Sequence, residues 1–176
     1  MIKVFDDYLP QQEFDNIRAY YEGELDNGTQ EGSCNWQFVP DCVGLNDPDE
    51  HYHFTQIVFS MHTILVPRAF YLLRPLFEKV GMSSIARIKT NCMMQTEKIK
   101  ELKLGFHTDY PQKLTTGIYY INDNDGYTLF EDGTKVHNVA NRFCIFPCET
   151  RHTATTCTTA SRRLLININF TSFEDL

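Results

Sequence analysis

Positive charge is scarce in this sequence. Only 16 Lys and Arg stand against 23 Asp and Glu, a formal net charge of −7 over 176 residues. A chain of that sign has no general attraction for phosphate backbones or anionic lipid, so neither nucleic acid nor a membrane is an expected partner. Long apolar runs are missing too, since no segment approaches the ~18 residues that would span a bilayer. Met1 to Asp7 lacks the basic start and apolar stretch of a secretory leader, which makes a soluble, cytoplasmic protein the expectation. Cysteine is present, but no Cys-x-x-Cys pair is. Cys34, Cys42, Cys92, Cys144, Cys148 and Cys157 fall mostly in apolar, strand-like surroundings, and they are read as reduced thiols rather than as zinc ligands or disulfides. Cys144 and Cys148, on either side of Pro147 at a strand end, are the one weak exception.

What is there suits one folded unit. At 42% hydrophobic the chain can bury a sizeable core, yet it is too short for two ordinary domains, so residues 1–176 are read as a single domain. Its first part, 1–84, reads as scaffold. Ile2 to Phe5 is a short strand, and Pro10 can open a helix whose Phe14, Ile17 and Tyr21 share one face. Residues 22–50, with Gly23, Gly28, Gly32, Pro40, Gly44 and Pro48, form a loop region. Its Trp36 and Phe38, with Tyr52, either pack or line an entrance. His51, His53 and His62 lack an acidic or thiol partner at a telling spacing and are read as edge or surface histidines. Phe54 to Met61 reads as a strand, followed by a helix over 67–80 that Pro75 should bend or break.

The remainder, 85–170, has the pattern of short strands. Ile85 to Met93 carries Arg87, Lys89 and Asn91 on one face, which reads as a solvated edge-strand face or, alternatively, as a cavity wall touching cosubstrate or substrate. Thr96 to Lys103 reads as a solvated connector, with a lid as the alternative. Asp123-Asn124-Asp125-Gly126 fails the calcium-loop spacing and reads as a tight turn between two strands. Strands are then expected over 127–130, 135–139, 142–146 and 163–170. Many short strands after early helices give the fold class: mainly β, a barrel-like double sheet buttressed by helices on one side.

The residues that carry chemistry are His107-Thr108-Asp109 and, far downstream, His152. Positions i and i+2 of an extended strand project to one side, so His107 and Asp109 can bind one ion while Thr108 points away. His152 would complete two imidazoles and one carboxylate on one face of a metal, the arrangement expected of non-heme Fe(II) oxygenases, with the opposite positions open. Taken alone, a His-x-Asp is more often a solvated turn. Arg162-Arg163 opens a following apolar strand, where an arginine could hold a carboxylate.

Phe106-His107-Thr108-Asp109-Tyr110, Gly117 to Asn122 and Gly126 to Phe130, then Val136 to Pro147, His152 and Arg162 to Phe170, together resemble the catalytic core of Fe(II)/2-oxoglutarate-dependent dioxygenases of the prolyl 4-hydroxylase type. In size the short phage or marine bacterial members are most similar. The resemblance covers about residues 85–170 and implies a double-stranded β-helix, or jelly-roll, cupin-like core. It implies His107, Asp109 and His152 as iron ligands, 2-oxoglutarate as cosubstrate and ascorbate as auxiliary reductant. It places Arg163, with Arg162 nearly as well supported, at the cosubstrate carboxylate. Tyr120 matches a position that helps bind that carboxylate, though a packed strand aromatic is an equal reading. Hydroxylation of a C–H bond in a small-molecule or peptide substrate would follow, prolyl residues being the family-level expectation. Cys92-Met93-Met94 departs from the family pattern, where tyrosine and proline are frequent. Two other functions stay open: a cupin-like metalloenzyme that does not use 2-oxoglutarate, and a binding module without catalysis.

Overall fold

Pro10 starts the first helix by fixing φ near the helical value, and its carbonyl accepts the first bonds from the Glu13 and Phe14 amides at 3.0 and 3.1 Å. In this computed structural model, which describes residues 1–23, 34–40, 52–102, 105–110 and 112–172, that helix is α1 (Gln11–Glu22). It ends where Gly23 takes φ 83°, a left-handed turn that glycine adopts without Cβ strain. Phe14, Ile17 and Tyr21 are buried on one face as their spacing predicts, and Tyr20 joins them. The expected second helix is two: α2 (Pro67–Leu72) and α3 (Arg74–Val80). Pro75 cannot donate to the preceding turn, so the chain breaks at Leu73, and the proline sits where a new helix needs no N–H.

The strands are β1 (Lys3–Phe5), β2 (Gln37–Val39), β3 (His53–Ser60), β4 (Thr63–Ile64), β5 (Met82–Met94), β6 (Thr115–Tyr120), β7 (Tyr127–Phe130), β8 (Lys135–His137), β9 (Phe143–Pro147), β10 (His152–Ala154) and β11 (Arg162–Ser172). Among the described residues eight form one antiparallel sheet in the order β1-β9-β6-β11-β5-β3-β2, with β4 paired to β3; the others form a small sheet, β10-β7-β8. The fold is mainly β with helices against one face, as the residue pattern predicts.

Period-two alternation along β11 explains the layering. Leu164, Ile166, Ile168 and Phe170 pack with Ile17, Leu73 and Leu76 of the helices in one core. Leu165 points the other way, into a second core with Ile118, Tyr120, Phe146, Phe130 and Val136 that joins the two sheets. The same face of β11 carries Arg163, Asn167 and Asn169, all buried. A buried apolar strand with polar residues confined to one face defines the site's floor.

Three expectations are corrected. β5 is not an edge strand: it pairs with β11 on one side and β3 on the other, so Arg87, Lys89 and Asn91 face the inter-sheet cavity rather than solvent. Asp123 to Gly126 is not a hairpin turn, because β6 and β7 belong to different sheets. The segment is a crossing, and the Asp125 carboxylate is spent on the amides of Thr158 and Thr159 at 2.7 and 3.2 Å. His53 is no surface histidine. It lies 6% exposed in β3, where burial and then the charge of Lys89 lower its pKa to about 4. The 96–103 connector, for its part, is tied down: Thr96 shares a hydroxyl–hydroxyl bond with Thr156 at 2.6 Å, and the Lys100 amide donates to the same oxygen at 2.9 Å. Lys103 lies outside the described residues, as do His51, Cys42 and most of the 22–50 loop. His62 is exposed. Trp36 packs on Tyr21 at 6.1 Å between ring centroids, and Phe38 and Tyr52 contact each other outside the central cavity.

Candidate metal centre

His107 and His152 are brought together by backbone bonds, not by chance packing of side chains. Each donates its amide to the other's carbonyl at 3.0 Å, an isolated antiparallel bridge that tethers the His107 segment to β10. Beyond His107 the segment bends, so the simple strand alternation expected of His107-Thr108-Asp109 does not hold, and Thr108 also lines the cavity. Asp109 nonetheless turns inward. Its carboxylate oxygens lie 4.0 Å from His107 Nε2 and 3.6 Å from His152 Nε2, and one ligand atom from each of the three residues falls within 4.8 Å of the others.

Hydrogen bonding fixes which nitrogen each imidazole offers. His107 Nδ1 lies 3.1 Å from the Gly105 carbonyl and His152 Nδ1 lies 3.1 Å from the Thr150 carbonyl. A carbonyl can only accept, so each Nδ1 carries a hydrogen, and each Nε2 is the nitrogen turned toward Asp109 and left for a metal. Burial keeps the His107 pKa below its ordinary value, which favours the neutral ring that a metal requires. His152 is wedged against Phe146 and Phe130 at 4.9 and 6.0 Å between ring centroids, which locks its plane.

Asp109 is held from the sheet. Asn167 Nδ2 donates to Oδ2 at 2.9 Å, and Arg87 Nη2 approaches Oδ1 at 3.4 Å while its Nε donates to Asn169 Oδ1 at 3.1 Å. Burial alone would push this carboxyl up; the neighbouring His152, the Asn167 bond, Arg87 and His107 together bring it below the usual value, so it is ionised. Sequence reasoning did not single out Asn167. Its signal was an asparagine two residues past Leu165 and four past Arg163 on the same face of a buried strand, with Asn169 following it at the same spacing.

The two arginines separate as alternation requires. Arg162 is half-buried and donates to the Glu22 carbonyl at 3.1 Å. Arg163 is wholly buried beneath the cavity, bonded to Asn138 Oδ1 at 3.0 Å, the Thr155 carbonyl at 2.9 Å and Thr128 Oγ1 at 3.3 Å. No carboxylate among the described residues pairs with it, and burial lowers its pKa to about 10. Tyr120 is fully buried with its hydroxyl 2.9 Å from Thr128 Oγ1, and burial keeps it protonated. Thr128, also unremarked in the sequence, is the member of this trio that lines the cavity.

That cavity measures about 350 Å³, within the range of small-molecule sites. His107, Asp109 and His152 stand on one wall, Ile118 and Leu165 on the floor, and Arg87, Lys89 and Asn91 of β5 on the other wall.

No protein-family model and no curated protein matches this chain. Solved structures do. A 2OG-Fe(II) oxygenase family oxidoreductase from Burkholderia pseudomallei superposes with a TM-score of 0.62 at 12% identity, over 97% of this chain and 85% of that one. A prolyl hydroxylase from Trichoplax adhaerens, solved with a peptide of a hypoxia inducible factor, gives 0.60 at 11% identity, over 99% and 84%. A non-heme alpha ketoglutarate dependent carbocyclase, SnoK of nogalamycin biosynthesis, gives 0.60 at 13% identity, over 97% and 79%. At such identities the likeness is one of fold, the jelly roll. A prolyl hydroxylase and a carbocyclase share that fold, so fold alone does not choose a substrate.

Proposed function

We propose that this chain is an Fe(II)- and 2-oxoglutarate-dependent dioxygenase that hydroxylates an unactivated C–H bond. The observation that carries the reading is the convergence of His107, Asp109 and His152, both imidazoles committed through Nδ1 to carbonyls and presenting Nε2 to one carboxylate. Two neutral nitrogens and one oxygen anion suit a ferrous ion and leave it net positive charge. Iron with 2-oxoglutarate and dioxygen supplies, when bound, the oxidising power for C–H hydroxylation, with succinate and carbon dioxide as co-products; ascorbate would keep the metal reduced.

This chain's residues do the rest by position. His107, Asp109 and His152 hold the ion from one wall and leave its cavity side free for cosubstrate. Arg163 supplies the charge that an oxoglutarate carboxylate needs at the far end, with the Thr128 and Tyr120 hydroxyls beside it. A buried guanidinium with only neutral partners among the described residues is expensive unless an anion joins it. Ile118 and Leu165 between the two ends exclude water from the chelated part of the cosubstrate. The substrate is a small molecule or a peptide, with a prolyl side chain as one candidate. Succinate formation from 2-oxoglutarate, dependent on Fe(II) and oxygen and abolished by Asp109→Ala, is the expected result. No succinate from the iron-loaded wild type, with ascorbate present, overturns the reading.

One observation favours a second reading, a metalloenzyme of this fold that does not use 2-oxoglutarate. Arg163 is already bonded at Nε, Nη1 and Nη2 and does not itself line the cavity. Calorimetric titration separates the two. Under the first, Arg163→Met weakens 2-oxoglutarate binding about a hundredfold while Arg162→Ala changes it little; under the second, wild type binds metal and no 2-oxoglutarate.

A further inference from the structure

Resting on the oxygenase reading, we infer that the substrate presents an uncharged amide group where β11 meets β5, its N–H donated to Asn167 Oδ1 and its C=O accepting from Asn91 Nδ2. The charged residues of this wall are already engaged. Arg87 is bonded to Asp109 and Asn169, Lys89 is not free either, and Arg163 lies beneath the cavity on Asn138, Thr155 and Thr128. What the two strands leave open to a ligand is neutral. Asn167 is 7% exposed and lines the cavity, yet its two amide atoms are used unequally. An ionised Asp109 only accepts, so Nδ2 is the atom that faces it at 2.9 Å, and the amide cannot be turned over. Oδ1 is thereby fixed as the other atom, buried and without a hydrogen-bond partner among the described residues. A buried amide oxygen left so is destabilising until a donor reaches it. Asn169, next along the face, is the contrast: its Oδ1 accepts from Arg87 Nε, and its Nδ2 donates to Thr116 Oγ1 at 3.1 Å. Among the described residues no other buried, unpartnered side-chain oxygen belongs to a residue that lines the cavity.

Asn91 supplies the second half. The register sets it opposite Leu165 and sets Asn167 opposite Lys89, so the two asparagines are diagonal neighbours on one face, about 7–8 Å apart. Asn91 is half-buried, lines the cavity, and its carboxamide bonds to no other described residue. Together they offer an acceptor from Asn167 and a donor from Asn91. A carboxylate answers only the donor and an ammonium only the acceptor, whereas an amide answers both. Asparagine χ2 is a broad torsion, so Oδ1 turns toward a ligand while Nδ2 stays on Asp109. Because Asn167 also grips Asp109, an amide bound there lies beside the metal ligands.

Paramagnetic relaxation measures this without turnover. Protein loaded with Mn(II) and saturating 2-oxoglutarate, each binding first verified by calorimetry, is titrated separately with acetamide, N-methylacetamide and acetone, following methyl ¹H relaxation. Acetone has the shape of acetamide and no N–H, and ligands of this size bind on the order of millimolar. The inference predicts saturable enhancement with at least one of the two amides and binding of acetone about tenfold weaker or less. N-methylacetamide holds its N–H trans to the carbonyl as a peptide does, so a response to it assigns the group to a chain amide; a response to acetamide alone assigns it to a primary amide or a lactam. Asn91→Leu, or Asn91→Val if the first variant does not fold, should weaken amide binding about tenfold. No saturable enhancement with either amide, acetone binding as tightly as acetamide, or amide binding indifferent to the Asn91 substitution overturns the inference. Failure of Mn(II) or 2-oxoglutarate to bind the wild type at all is a separate result: it removes the oxygenase reading, and this inference with it.

Discussion

Asn167 illustrates how much of the site depends on side chains that bind no ion. Its amide is the shortest contact to Asp109 and lies on the rigid central strand, so it sets the carboxylate's direction. Asn167→Ala is expected to weaken Mn(II) binding about 10- to 100-fold with little change in secondary structure, by calorimetry and circular dichroism. His53 carries a prediction of opposite kind, about stability. Its pKa is lowered to about 4 from 6.5, so the unfolded chain binds the proton more readily. Its contribution is complete above pH 6.5 and is lost as pH falls from there toward 4. Urea unfolding at about pH 7.5 and about pH 4.5 should show wild type losing on the order of 2 kcal/mol more than His53→Gln. The cluster was legible residue by residue, since His107-Thr108-Asp109 followed far downstream by His152 stands out by residue type and order, and the structure brings the three side chains together. Asn167 and Thr128 were not, because an asparagine or threonine in a strand acquires meaning only from the face it shares.

At the level of elements, strand identity was readable and strand neighbours were not. β3, β5, β9 and β11 fall within a few residues of where alternation and apolar content place them. Partners are decided by crossings that local sequence does not encode, and for that reason β5 reads as an edge while it is central, with its polar face turned inward. The crossing between β6 and β7 packs directly on Arg163. A Cβ at Gly126 would lie 2.6 Å from Arg163 Cδ and 2.8 Å from the Thr156 carbonyl, so the chain can cover the buried arginine only with glycine there. Gly126→Ala should cost about 1–3 kcal/mol in denaturant unfolding and weaken 2-oxoglutarate binding together, because Arg163 cannot retreat without losing its bonds. Gly133→Ala is the contrast: φ there is +88° with nothing near the new Cβ, so it should cost about 1 kcal/mol and leave binding intact.

The described residues form two cores on either side of one sheet, helices on one face and the small sheet with the cavity on the other. Among the described residues no helix is long and apolar enough to cross a membrane. The five described cysteines are free and buried, and burial pushes the thiols of Cys34 and Cys144 up to about 12 and that of Cys92 to about 11. In a Cys42→Ser background they should resist a thiol reagent in native buffer and react fully in denaturant; rapid native labelling of several would show that the two cores do not close as described. Such closure also keeps His107, Asp109 and His152 fixed on one wall.

The most direct test of the central claim is an anaerobic visible spectrum of the protein with Fe(II) and 2-oxoglutarate. A charge-transfer band that requires both additions, and that His152→Ala removes, is the predicted result. A colourless mixture from protein shown to bind Fe(II) would contradict it.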